Sequence, residues 1–170
     1  LKAFTRAFKC IHSQAMAPTT AQARTEITDF KIDSILSLMT LKEKISMCHA
    51  QSQFSSPGIP RLGIPELWMS DGPHGIRAEI NWSNWGYSGW TNDYITAFPA
   101  LTCLSATFNP SLSKQYGVSI GEEARYRKKD ILLGPGVNIY RTPLNGRNFE
   151  YMGEDPYLAS KMVVPYIKGV

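Results

Sequence analysis

The strongest constraint on this chain is the passage from an apolar run into a glycine- and proline-rich turn within residues 59–77. Leu67, Trp68 and Met69 are followed directly by Ser70-Asp71-Gly72-Pro73-His74-Gly75-Ile76-Arg77. The apolar run reads as a brief buried strand. The Gly and Pro residues after Asp71 end regular structure and let the backbone approach a ligand closely. Asp and Gly are ordinary turn residues, so a strand with a plain turn is the simpler reading. Against it stands the company of Asp71, His74 and Arg77 in one turn at a strand end, where α/β folds place their ligands.

A chain of 170 residues with 43% hydrophobic content can bury a core and suits one ordinary domain or a piece of a larger one. Its net charge of +4 is spread out. The one tight basic group, Arg125, Arg127, Lys128 and Lys129, reads as the solvated end of a helix. No basic stripe with interleaved aromatics accompanies it, so no nucleic-acid partner is expected. Cys10, Cys48 and Cys103 form no Cys-x-x-Cys pair and read as free thiols, and His12, His49 and His74 lack metal-ligand spacing. No metal and no cofactor is expected. No apolar run approaches the ~20 residues of a membrane-spanning helix, so no membrane partner is expected either.

Residues 1–28 read as a mobile lead-in. The first fourteen are basic, with Phe4, Phe8 and Ile11 interrupted by charges, and Ala15-Met16-Ala17 resembles a signal-peptidase site without the apolar region that should precede it. Localisation is left open: a periplasmic or secreted parent is compatible with the sequence. Order is expected from Asp29, with a short helix after Asp33. A second helix starts at Thr40-Leu41-Lys42-Glu43, which has capping-box spacing, to make a helical hairpin. Residues 51–57 read as a loop.

After Arg77, residues 78–92 carry Trp82, Trp85, Tyr87 and Trp90 without a period of two or 3.6, which makes a loop. Those aromatics either pack the loop onto the domain or line a sugar site, since pyranose rings offer apolar C–H faces to an aromatic surface. Asn81-Trp82-Ser83 fits the short glycosylation sequon. Residues 98–104 then read as a strand. Asn109-Pro110 starts a helix through about Arg127 by a cap followed by Pro, and residues 130–133 open another strand. Short apolar strands alternating with helices argue for an α/β sheet or barrel. In the loop of residues 140–157, Glu150 and Glu154 have a structural reading as partners for an arginine, and Asp155-Pro156 starts a last helix that Pro165 should kink. Arg147, between Gly146 and Asn148, is placed to offer a fork of donors to ligand oxygens.

Taken together, the start at Thr40, the Ser70-Asp71-Gly72-Pro73-His74-Gly75 run, Gly146-Arg147-Asn148-Phe149-Glu150-Tyr151 and Glu154-Asp155-Pro156 resemble the N-terminal part of glycoside hydrolase family 3. The likeness covers residues 29–170 and looks closer to the family's β-glucosidases than to its β-xylosidases. It implies an α/β fold, the N-terminal portion of a (β/α)8 TIM-type barrel, incomplete here, with an α/β sandwich as second domain. It also implies exo-acting, retaining hydrolysis of a β-glucoside or oligosaccharide substrate by two carboxyl groups. Asp71 and Arg147 are, by this resemblance, substrate-binding residues that bond sugar hydroxyls.

The nucleophile, the acid/base and a Lys-His sugar-binding pair of that family have no counterpart in residues 1–170. No catalytic residue is therefore assigned, and Glu150 and Glu154 are not promoted to those roles. About three of eight βα units are expected, against about 250 residues in a whole barrel. The missing C-terminal part of the barrel and the second domain are the expected partners. A non-catalytic sugar- or partner-binding remnant and a β-xylosidase of the same family are the readings held beside a β-glucosidase fragment.

Overall fold

The computed structural model describes residues 20–91 and 93–170. Two compact units divide between Lys44 and Ile45. In the first, helix α1 (Thr20–Leu38) begins well before Asp29, where order is expected from sequence, and before Asp33, after which the short helix is expected. Ala21, Ala23, Arg24 and Glu26 are strong helix formers, and their propensity outweighs the polar look of that stretch. The rest of the expected lead-in, with Ala15-Met16-Ala17, lies outside the described residues. Helix α2 (Leu41–Ser46) opens on the predicted capping box. Thr40 N donates to Glu43 Oε2 at 2.8 Å, and Glu43 N donates to Thr40 Oγ1 at 3.3 Å.

The second unit is built on a three-stranded sheet ordered β1-β2-β3. Strand β1 (Ser55–Ser56), within a stretch expected to be all loop, pairs antiparallel with β2 (Leu67–Asp71). Strand β3 (Ile131–Leu133) pairs parallel with β2, matching Met69 with Ile131, Ser70 with Leu132 and Asp71 with Leu133. A parallel pair needs a long crossover, and here it consists of a loop, α3 (Leu101–Ser105) and α4 (Pro110–Tyr126). Helix α5 (Pro156–Gly169) follows β3 and runs on through Pro165.

Two sequence expectations are corrected in this unit. The predicted strand over residues 98–104 is a helix from Leu101. Its buried residues are Leu101, Leu104 and Ser105, a helical spacing that a short apolar run conceals. Strand β2 exists, but its buried member is Ser70 at 3% exposure, while Leu67 is 38% exposed. Helices cover one sheet face only: Leu132 packs against the core, whereas its neighbours Ile131 and Leu133 are exposed. Alternation along a strand puts those neighbours on the uncovered face.

The core lies between the sheet and α3, α4 and α5, with Ile76, Leu101, Ile120, Met162 and Tyr166 fully buried. Helices α4 and α5 approach closely because Ser113, Gly117 and Gly121 recur every four residues on one face of α4. A Cβ on Gly117 would stand 2.2 Å from the Tyr166 carbonyl oxygen, and one on Gly169 would stand 2.4 Å from that of Lys114. Ser113 Oγ donates to Met162 O at 2.6 Å across the same seam. Both predicted caps form: Asn109 Oδ1 accepts from Ser111 N and Leu112 N, and Asp155 Oδ1 accepts from Tyr157 N.

The basic group after α4 is not simply a solvated helix end. Arg125 and Lys128 are exposed, but the Arg127 and Lys129 side chains keep only 10% and 7% of their surface. Lys129 Nζ lies 2.7 Å from Glu79 Oε1, and Arg127 Nη2 pairs with Asp93 and lies 3.5 Å from Glu79. Glu79 N also donates to Asp93 Oδ2 at 2.8 Å. Four charges thus fasten the aromatic loop to the segment joining α4 and β3. Cys48 and Cys103 are both exposed at the surface. Among the described residues there is no cluster of metal-ligating side chains, and no helix is long and apolar enough to cross a membrane.

Candidate functional site

Asp71 is the last residue of β2, and its register partner Leu133 is the last of β3. The carboxylate therefore stands at the C-terminal ends of two parallel strands, the usual ligand position in α/β folds. Close backbone approach shapes the turn beyond it. A Cβ on Gly72 would meet Leu132 Cδ1 at 2.5 Å and the Gly75 carbonyl at 2.7 Å. Gly75 has φ +139°, and its Cβ would come within 2.3 Å of Thr96 O, so only glycine fits there without strain. From the helical layer, Tyr116 Oη lies 3.1 Å from Pro73 O and 2.8 Å from Pro99 O, bracing the turn from behind. Burial pushes the Tyr116 phenol far above its ordinary pKa, so it remains a donor.

Arg77 closes the turn with its backbone and returns its side chain to Asp71. Its N–H bonds Ser70 Oγ at 3.1 Å and Asp71 O at 3.2 Å. Its Nη1 donates to Asp71 Oδ2 at 3.0 Å. The sequence groups Arg77 with Asp71 and His74 in one turn, and here its guanidinium engages the Asp71 carboxylate itself. His74, on the same turn, turns its ring toward Phe149, with centroids 5.7 Å apart.

Arg147 arrives on the loop after β3, just before a single 3-10 turn over Asn148–Glu150. Asn145 Oδ1 accepts from Arg147 N at 3.2 Å, and Arg147 Nε donates to Glu150 Oε1. The Arg147 side chain is 72% exposed while that of Glu150 is 11% exposed, so a buried carboxylate anchors an open guanidinium. The hydrogen bond to Glu150, then its charge, raise the Arg147 pKa further, and Asp71 contributes in the same direction. Glu154 is exposed and lines a different hollow, with Tyr140 and Arg141.

Asp71 and Arg147 line one cleft of about 450 Å³, together with His74, Arg77, Phe149 and Glu150. A larger hollow of about 540 Å³ is lined by Trp68, Trp82, Trp90 and Lys129, at the opposite ends of β2 and β3. We take the smaller cleft as the candidate site, because an acceptor and a guanidinium fork converge on it, which recognition of a polar ligand requires. The aromatic loop packs partly as one sequence alternative had it: Trp82 meets Trp68 and Trp85 meets Phe54, each pair edge to face at 5.8 Å. Trp82 and Trp85 nevertheless keep 52% and 59% of their surface. An ionised carboxylate beside guanidinium donors suits a neutral, hydroxyl-rich ligand, which accepts from the arginines and donates to Asp71 through charge-assisted bonds.

Residues 11–170 match the family model described as "Glycosyl hydrolase family 3 N terminal domain". The chain belongs to glycosyl hydrolase family 3. Among its family 3 relatives, beta-glucosidase BoGH3A of Bacteroides ovatus is 70% identical over 146 residues, which are 86% of this chain and 20% of that protein. The thermostable beta-glucosidase B of Acetivibrio thermocellus is 42% identical over 144 residues, 82% of this chain and 18% of that one. The structure of beta-glucosidase 3B from Thermotoga neapolitana in complex with glucose superposes with a TM-score of 0.70 at 36% identity, covering 82% of this chain and 21% of that one. The chain thus spans about a fifth of the length of these family 3 proteins.

Proposed function

We propose that this chain supplies the opening part of the N-terminal barrel of a retaining, exo-acting β-glucosidase, with Asp71 and Arg147 as binders of the terminal glucose. The carrying observation is that Asp71, at the end of one parallel strand, and Arg147, on the loop after the next, line one cleft. Support comes from the relatives, which are named beta-glucosidases, one of them solved with glucose.

In this reading Asp71 accepts hydrogen bonds from hydroxyls of the terminal sugar while Arg147 donates to a neighbouring one. Two fixed contacts hold the ring so that further interactions act on the oxocarbenium-like transition state. Glu150 is not the nucleophile, since it is buried and committed to Arg147. The nucleophile and the acid/base belong to a later part of the barrel and a following domain. The open sheet face supports this over a self-standing remnant: Leu67, Ile131 and Leu133 are each more than a third exposed, as expected of a barrel interior lacking its other strands.

The test is hydrolysis of an aryl β-glucoside. Residues 1–170 alone should show no turnover, and the complete protein that carries them should lose most of its kcat/KM in both Asp71→Ala and Arg147→Ala. Turnover by residues 1–170 that depends on Glu150 or Glu154 would overturn the proposal.

A further inference from the structure

Asp71 is the exposed member of its ion pair, with 48% of its side chain accessible against 33% for Arg77. A half-exposed pair of this kind holds its geometry weakly by itself, because screening is strong and two side chains must be ordered together. Arg77, however, is not free to wander. Its guanidinium carbon lies 5.3 Å from the ring centroid of Trp85 and 5.7 Å from that of Phe54. The two rings meet at 87°, so they form a corner around the cation. Arg77 Nε is buried with no hydrogen-bond partner among the described residues. The two rings come from distant parts of the chain, Phe54 beside β1 and Trp85 on the aromatic loop.

We propose that Phe54 and Trp85 are positioning residues for the sugar site: their rings hold the Arg77 guanidinium, and Arg77 in turn fixes the Asp71 carboxylate. This rests on the reading of Asp71 as a sugar-binding residue. The rings attract the cation through their π-faces and remove its alternative rotamers, so less freedom is lost when sugar binds. Trp85 touches no sugar in this scheme. The aromatic loop, itself stapled by Glu79 and Asp93 to Arg127 and Lys129, thereby becomes part of the site's frame.

The experiment is titration calorimetry with glucose on the complete protein that carries this chain. Trp85→Ala and Phe54→Ala should each weaken glucose binding about two- to fivefold, the loss of one exposed cation–π contact. Trp85→Phe, which keeps a π-face, should recover most of the affinity, and Trp85→Leu, which keeps bulk alone, should not. Arg77→Ala should weaken binding more, and adding Trp85→Ala to it should change nothing further, because the ring acts only through that cation. Unchanged affinity in Trp85→Ala, equal recovery by Leu and Phe, or full additivity with Arg77→Ala would overturn the clamp. Asp71→Ala separates the two levels: affinity kept in that variant overturns the sugar-site reading itself. Affinity lost there but kept in Trp85→Ala overturns only the clamp.

Discussion

Gly117→Ala sets two effects of known size against each other. In an isolated helix the change is favourable by about 1 kcal/mol, because alanine loses less backbone entropy on folding. Here the new Cβ would stand 2.2 Å from Tyr166 O, 3.0 Å from Tyr166 C and 3.2 Å from Gly169 Cα. All three are backbone atoms of α5, so no side chain can rotate out of the way and the helices must separate. Overpacking of a tight core costs about 1–3 kcal/mol, and a clash with backbone belongs at the upper end. Separation also stretches the Ser113 to Met162 hydrogen bond, now 2.6 Å. The balance is a loss of about 2 kcal/mol, which lowers the melting temperature. Thermal denaturation of the complete protein checks it, with Gly146→Ala as control, since a Cβ there meets nothing within 4 Å. A Gly117→Ala protein that melts at or above the parent would refute the claim that backbone contact sets the α4–α5 distance.

The remaining expectations concern the aromatic loop and the turn. Burial raises the Asp93 pKa, but the Arg127 hydrogen bond, the Glu79 N–H and the charges of Arg127 and Lys129 outweigh it and hold the carboxyl below its ordinary value. A depressed folded pKa contributes stability that is complete above the unfolded value of about 3.9 and lost as pH falls through the folded one. Asp93→Asn should therefore lower stability at neutral pH and flatten its fall below about pH 4, as read by urea midpoints across pH. Arg127→Ala leaves Asp93 without its nearest cation and should cost about 3 kcal/mol by the same measurement. Gly75→Ala combines an unfavourable φ with a contact to Thr96 O, and should weaken glucose binding severalfold while the far-ultraviolet dichroism stays unchanged.

What was legible in the sequence was local. The caps at Asn109 and Asp155 and the capping box at Thr40 each depend on residues two or three apart, and all three form. The turn after Asp71 was legible for the same reason, since Gly72, Pro73 and Gly75 restrict the backbone whatever surrounds them. The short apolar run at residues 98–104 carried too few residues to separate a period of two from 3.6, and tertiary burial of Leu101 and Leu104 decided for helix. The ion cluster could not be seen in advance, because Glu79 and Lys129 are 50 residues apart and Asp93 and Arg127 are 34 apart. A signal did exist for the helix seam: Ser113, Gly117 and Gly121 repeat at four-residue spacing, the mark of two helices in close contact. No such signal marks Phe54, whose place beside Arg77 follows from the pairing of β1 with β2.

That seam and the candidate site are linked through one side chain. Tyr116 sits on α4 between Ser113 and Gly117, and its ring lies 5.4 Å from that of Tyr166 on α5. Its hydroxyl reaches the carbonyls of Pro73 and Pro99, one on the turn after Asp71 and the other just before α3. Phe98 packs on the same ring at 5.0 Å while its N–H bonds His74 O. The turn that carries Asp71 is therefore held on its core side by the helical layer and on its cleft side by Arg77. On the next strand, the first residue after β3, Gly134, lies so close that its Cβ would stand 3.1 Å from Gly72 O. The loop delivering Arg147 thus starts in contact with the turn delivering Asp71. The two side chains belong to one frame set by glycine contacts and a tyrosine brace, and a helix displaced at Gly117 should be felt as a displaced carboxylate at Asp71.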